Sequence, residues 1–289
     1  MKLNDFHIRD PFILPYEGKY YLYCQLGKYA WSGCDGFYVT VSEDLENWSE
    51  LKKCFTIPEG FWATNNYWAP EVHEYKGRFY MFASFYANGH MRAVQILSSD
   101  APDGPFEIHS CPITPNHWMC LDGTFYLEND VPYMVFCHEW KQTYDGEMCL
   151  LQLSDDLRMP VGEPKVLFRA SESGWSSDIV GYVTDGPFIY KNSKGELLMT
   201  WSSDHEGKYS VGVAKSSNGK INGKWEHCQK LLTQINGGHG MIFRSFDNQL
   251  YFTMHYPNNP FGCERAKIIP IKEINEEPFL EFLTNPEEL

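Results

Sequence analysis

The sequence predicts an all-β chain folded as a five-bladed β-propeller. Three observations predict it: a hairpin-like unit recurs five times, most copies are followed by a second pair of short apolar runs, and helical periodicity is sustained nowhere. With 289 residues, 43% hydrophobic and 16% aromatic, the chain has apolar area for one sizeable core, so a single propeller domain over residues 1–289 is expected.

The unit is clearest from Val183 to Ser203. Asp185 opens an apolar run, Lys194-Gly195 reverses the chain, and a second apolar run follows. Asp10-Pro11-Phe12-Ile13 repeats it through Glu17-Gly18, Ala69-Pro70-Glu71-Val72 through Lys76-Gly77, Asp122-Gly123-Thr124-Phe125 through Asn129-Asp130, and His239-Gly240-Met241 through Asp247-Asn248. Counted from Asp10, Ala69, Asp122, Asp185 and His239, the copies stand 59, 53, 63 and 54 residues apart, a blade-like period. Third strands are expected at Tyr38–Val41, Val94–Leu97, Leu150–Leu153 and Val211–Ala214, with fourth strands near Trp48, Phe106, Leu157 and Trp225. The tail from Glu273 to Leu289 is expected to close with a short helical turn.

A net charge of −14, with acids scattered along the chain, argues against nucleic acid or an anionic membrane as a partner. No run reaches the roughly 18 apolar residues of a membrane span, and Met-Lys-Leu-Asn-Asp-Phe-His lacks the apolar stretch of a secretory signal, so a cytoplasmic location is expected. Nine cysteines without a C-x-x-C pair fit buried free thiols better than a disulfide framework. Asn47-Trp48-Ser49 matches a glycosylation sequon and is read as incidental without such a signal.

First strands of propeller blades line the central channel, so residues that begin them converge at one end. Asp10, Asp122 and Asp185 are read at this position in blades one, three and four. Asp-Gly and Asp-Pro are also ordinary turn dipeptides, but three like charges at one repeat position are costly unless they bind, share protons or react. Two facing carboxylates suit glycoside hydrolysis, in which one activates water and the other protonates the leaving oxygen.

Arg9-Asp10-Pro11-Phe12, Tyr67-Trp68-Ala69-Pro70-Glu71, Leu121-Asp122-Gly123-Thr124-Phe125, Thr184-Asp185-Gly186-Pro187-Phe188 and Gly237-Gly238-His239-Gly240 together resemble glycoside hydrolase family 43 over nearly the whole chain. The resemblance implies an inverting five-bladed hydrolase of arabinofuranosides or β-xylosides. By motif, Asp10 resembles the general base and Asp122 the acid that orients the proton donor and tunes its pKa. Asp185 stands where the family usually has a glutamate as general acid. Glu139, in Cys137-His138-Glu139-Trp140, is the substitute donor if the shorter Asp185 falls short; His138-Glu139 does not extend to the zinc motif H-E-x-x-H, because position 142 is Gln. His239 resembles the family histidine that faces a hydrated calcium in the channel, a structural ion that the chemistry does not require.

Trp68 resembles a sugar-subsite tryptophan. Trp31, Trp62, Trp140 and Trp175 are further candidates, and Arg265 is a candidate for a sugar hydroxyl or a carboxylate, with blade closure as its other role. The function read from these residues is an exo-glycosidase that removes terminal arabinofuranose or xylose units from plant-polysaccharide oligosaccharides. A β-D-galactofuranosidase, a sugar-binding propeller without catalysis, and a fructoside- or phosphate-dependent enzyme stay open; the last lacks a basic cluster at the blade starts to hold phosphate.

Overall fold

The computed structural model describes residues 1–29, 31, 33 and 35–288. Five four-stranded antiparallel sheets follow one another around a central axis. Blade one comprises β1 (Ile8–Tyr16), β2 (Lys19–Leu26), β3 (Phe37–Ser42) and β4 (Lys52–Phe55), and blade two β5 (Asn65–Tyr75), β6 (Arg78–Tyr86), β7 (Ala93–Ser99) and β8 (Glu107–Pro112). Blade three comprises β9 (Cys120–Glu128), β10 (Val131–His138), β11 (Glu147–Leu153) and β12 (Pro160–Arg169). Blade four comprises β13 (Asp185–Lys191), β14 (Leu197–His205), β15 (Lys208–Ser216) and β16 (Trp225–His227), and blade five β17 (Gly238–Arg244), β18 (Leu250–Tyr256), β19 (Arg265–Glu273) and β20 (Leu280–Phe282). All five hairpins and the four named third strands fall where the sequence puts them.

The tail differs. Within 273–289 the chain first adds β20, paired with β19 through Ile271–Phe282, and only then makes a 3-10 turn at Pro286–Glu288. Leu280 supplies the reason, because it buries against Leu250 and Ile271 in the outer part of blade five. Every strand of blade five therefore comes from the C-terminal part of the chain, and side chains close the ring. Arg9 Nη1 meets Glu264 Oε1 at 2.9 Å, and the Arg265 guanidinium donates to Asn4 O at 2.8 Å. Removing one partner of a buried pair such as Arg9–Glu264 costs about 3–5 kcal/mol.

The core lies between neighbouring blades. Phe82, Val94 and Ile96 of blade two meet Met134, Phe136 and Leu151 of blade three, while Trp175 and Trp201 pack against Phe168 between blades three and four. Of the described cysteines, none is disulfide-bonded; most are buried, but Cys111 and Cys263 are exposed, and Cys34 lies outside the described residues.

Candidate active site

Each first strand breaks at the same place. Two residues of it face one residue of its partner strand, between the pairs Arg9↔Gln25 and Phe12↔Tyr23 in blade one, and likewise after Trp68↔Ser84, Leu121↔Cys137, Asp185↔Ser202 and Gly238↔His255. The first bulged residue has left-handed backbone: Asp10 at φ 49°, Ala69 at 47°, Asp122 at 57°, Gly186 at 50° and His239 at 49°. Proline or glycine follows it in all five blades (Pro11, Pro70, Gly123, Pro187, Gly240). A bulge re-aims side chains at a strand end; five together make two concentric rings.

This geometry corrects the expected alignment. The blade-four equivalent of Asp10 and Asp122 is Gly186; Asp185 stands one residue earlier, level with Arg9, Trp68, Leu121 and Gly238. The Asp-Gly dipeptide shared by 122–123 and 185–186 set the sequence register, whereas the backbone aligns on the following Pro or Gly. Gly186 is required there, because a Cβ would lie 2.8 Å from His239 Cγ, on top of a positive φ.

The two rings open into a pocket of about 60 Å³ lined by Arg9, Asp10, Gln25, Trp31, Trp68, Leu121, Asp122, Asp185, Tyr209 and His239. Phe12, His73, Phe125 and Phe188 fill the axis below, with Phe12 and His73 ring centroids 5.0 Å apart. Asp10 Oδ2 accepts from Gln25 Nε2 at 2.7 Å, and its Oδ1 lies 3.1 Å from His255 Nδ1 and 3.3 Å from His239 Nδ1. Asp122 Oδ2 accepts the Gly186 N–H at 2.9 Å and lies 3.7 Å from His239 Nδ1. The Tyr209 hydroxyl donates to Asp185 Oδ2 at 3.2 Å.

The acids differ in charge. Burial pushes the Asp10 carboxyl up, but His239, the His255 contact and Arg9 outweigh it and hold the group well below the usual carboxylate range. Burial pushes Asp122 up to about 6, assisted by Asp10 and opposed by His239 and the Gly186 N–H. Burial, then the charge of Asp122, pushes Asp185 well above the ordinary value, opposed by His239 and assisted by Glu139. His239 is pushed down by burial, but Asp10, Asp122 and Asp185 outweigh that and raise it, favouring its cationic form. The pocket thus shifts its two acids in opposite directions, Asp10 toward its ionised form and Asp185 toward its protonated one.

Glu139 is buried just behind this pocket and does not line it. Arg92 Nε meets its Oε2 at 3.2 Å and Lys141 its Oε1 at 3.3 Å, so it is ion-paired on both oxygens. Arg92 in turn lies 3.9 Å over the Trp68 ring. Trp31 and Trp68 are both in the pocket, edge to face at 5.4 Å. Trp140 sits outside it, against Gly181, at the start of α1 (Trp140–Thr143). Trp62 hydrogen-bonds Gln95, and Trp175 belongs to the core. Arg265 is also away from the pocket, fixed to Asn4, Glu264 and His7 at the blade-one seam. Sequence reasoning missed Arg9, Gln25, Tyr209 and His255. Arg9 and Gln25 are legible once the bulges are aligned, since they flank Asp10 and pair across the strand. Tyr209 has no such signal.

For a cation, the donor set does not fit direct binding. Among the described residues no three His, Cys, Asp or Glu side chains are grouped to hold a metal, and His239 Nδ1 already faces two carboxylates.

The profile of the Glycosyl hydrolases family 43 matches residues 4–280. The crystal structure of an endo-arabinase from Bacteroides thetaiotaomicron superposes with a TM-score of 0.87 at 37% identity, covering 95% of this chain and 98% of that one. A thermostable family-43 glycoside hydrolase superposes at 0.84 with 25% identity, over 97% and 94%. Among curated proteins, a probable arabinan endo-1,5-α-L-arabinosidase C of Aspergillus clavatus is 23% identical over 70% of this chain and 63% of its own length. An extracellular endo-α-(1→5)-L-arabinanase of Bacillus subtilis is 27% identical over 64% and 59%. The chain thus spans about three-fifths of the length of these two curated relatives.

Proposed function

We propose, for a chain that belongs to glycosyl hydrolase family 43, an inverting glycosidase that cuts α-1,5-linked L-arabinofuranose chains within the polymer. The observation behind the chemistry is the placement of two acids in one pocket, Asp10 against Gln25, His239 and His255 and Asp185 against the Tyr209 hydroxyl. In this reading the ionised Asp10 takes a proton from water as the water oxygen attacks the anomeric carbon, and the protonated Asp185 gives its proton to the departing glycosidic oxygen. Asp122 holds the backbone beside Asp185 and, when ionised, raises its proton affinity. Glu139, ion-paired and outside the pocket lining, is the weaker candidate for the donor. No step runs through an ion; a calcium on the axis would have to be held through water near His239.

Polymer cutting is supported by the exposed aromatic ledge at the pocket mouth. Trp31 is 53% and Phe261 57% exposed, with ring centroids 5.1 Å apart. Aromatic faces kept in water at a sugar site offer stacking to units beyond the one being cut. The similarity to proteins named endo-arabinases supports the same substrate. The test is digestion of linear α-1,5-arabinan. A mixture of arabino-oligosaccharides with an early fall in viscosity is expected; arabinose as the sole product would instead support release of terminal units, and no product from arabinan would sink the substrate assignment.

A further inference from the structure

The left-handed residue of each bulge points its N–H at the preceding blade, and a side chain from that blade's second strand stands ready to meet it. Gln25 Oε1 accepts from Ala69 N at 3.2 Å, Ser84 Oγ from Asp122 N at 2.9 Å and Ser202 Oγ from His239 N at 2.9 Å, while His255 Nδ1 faces Asp10 N at 3.4 Å. These side chains occupy one structural slot, the residue paired across from the position before the bulge. In blade three the slot is Cys137, paired with Leu121 and fully buried. A thiol is a weak acceptor, and here the Gly186 N–H goes to Asp122 Oδ2 at 2.9 Å.

We propose that Cys137 is a positioning residue: by keeping an oxygen acceptor out of its slot, it leaves the Gly186 N–H to Asp122 and so holds that carboxylate against the backbone that carries Asp185. The inference rests on the reading above, in which these two acids act in glycosidic cleavage. An N–H bonded to a buried carboxylate fixes orientation more strongly than one bonded to a neutral oxygen. The serines at the same slot in blades two and four show what the alternative looks like, since each takes the next blade's N–H at 2.9 Å. A hydroxyl at 137 would do the same and release Asp122.

The test compares Cys137→Ser with Cys137→Ala, neither of which keeps the sulfur but of which only the first offers a competing acceptor. Two readouts are taken: the Gly186 amide proton signal in glycine-labelled protein, and kcat and KM on α-1,5-arabino-oligosaccharides. In the serine protein the amide signal is expected to move away from its carboxylate-bonded position, and kcat to fall roughly tenfold below that of the alanine protein with similar KM, the scale of one charge-assisted hydrogen bond. Should the serine protein not fold, Cys137→Thr brings the same hydroxyl with a methyl group that keeps the site apolar. An unmoved Gly186 amide in the hydroxyl variant, or equal kcat in the two variants, overturns the proposal. Absence of arabinoside hydrolysis in the unmodified protein would instead remove the functional reading, and the amide signal would still decide how the slot is used.

Discussion

Asp10 in blade one and Asp185 in blade four belong to the same five-fold bulge, one position apart, and their neighbourhoods shift the two carboxyls in opposite directions. Asp10 is in the ring of left-handed residues, among Gln25, His239 and His255 with Arg9 beside it. Asp185 is one position earlier, where Tyr209 is its hydrogen-bond donor and Asp122, His239 and Glu139 are its charged company, with burial and Asp122 outweighing His239. A one-residue offset in a bulge therefore does the work of two different scaffolds, favouring the charged form of one acid and the neutral form of the other.

The comparison breaks most severely at Asp10. Asp10→Asn keeps the shape and the Gln25 contact side while removing the base, and kcat on arabino-oligosaccharide should fall by about 10³–10⁴. Azide or formate, small anions that fit the space of the lost carboxylate oxygen, should restore part of the rate. A variant that retained more than a tenth of the activity would show that water is activated elsewhere.

Asp185→Asn comes next, and its effect should depend on the leaving group. On α-1,5-arabino-oligosaccharides kcat should fall by about 10²–10³, on aryl arabinofuranosides with acidic phenols far less, because such phenols depart without a proton. The pH dependence carries the sign. Asp185 must be protonated to donate, so the unmodified enzyme loses activity as pH rises through its raised pKa; the asparagine variant should lack that alkaline limb. A limb that persists in Asp185→Asn but vanishes in Glu139→Gln would move the proton donor to Glu139 despite its two ion pairs.

The propeller was legible because it is written in local signals repeated at blade spacing: reversing turns such as Glu17-Gly18, Lys76-Gly77 and Asn129-Asp130, where both residues of each pair take positive φ, and apolar strands between them. The acids were legible as a set, since Asp10, Asp122, Asp185 and His239 all reach one pocket. The ring to which Asp185 belongs was not, because Asp-Gly-Pro and Asp-Gly-Thr look alike as text, while the bulge is positioned by Pro187 and Gly123. Of the two roles open for Arg265, the structure places it at blade closure and away from the sugar pocket. Its neighbour Glu264 reaches the pocket wall through Arg9, but Arg265 itself points to the N-terminal segment, and which side of a strand faces the pocket is invisible until the strand's partners are known. Arg9 stands in the sequence only as the residue before Asp10, although its side chain flanks the pocket between Trp31 and Phe261 at 5.8 Å from each ring.

The smallest effect separates the reacting centre from the ledge outside it. Trp31 touches Trp68 and Phe261 and has little to do with the acids, so Trp31→Ala should leave the charge states of Asp10 and Asp185 as they are. The loss is stacking, about 1–2 kcal/mol at a partly wet aromatic face, equivalent to a rise of roughly five- to thirtyfold in KM for arabinan. For a disaccharide that ends before the ledge the rise should be at most about twofold, and kcat should change little in either case. Equal losses on the disaccharide and the polymer would place Trp31 at the sugar being cut, making the pocket a terminal-unit site rather than one point along a chain-binding surface.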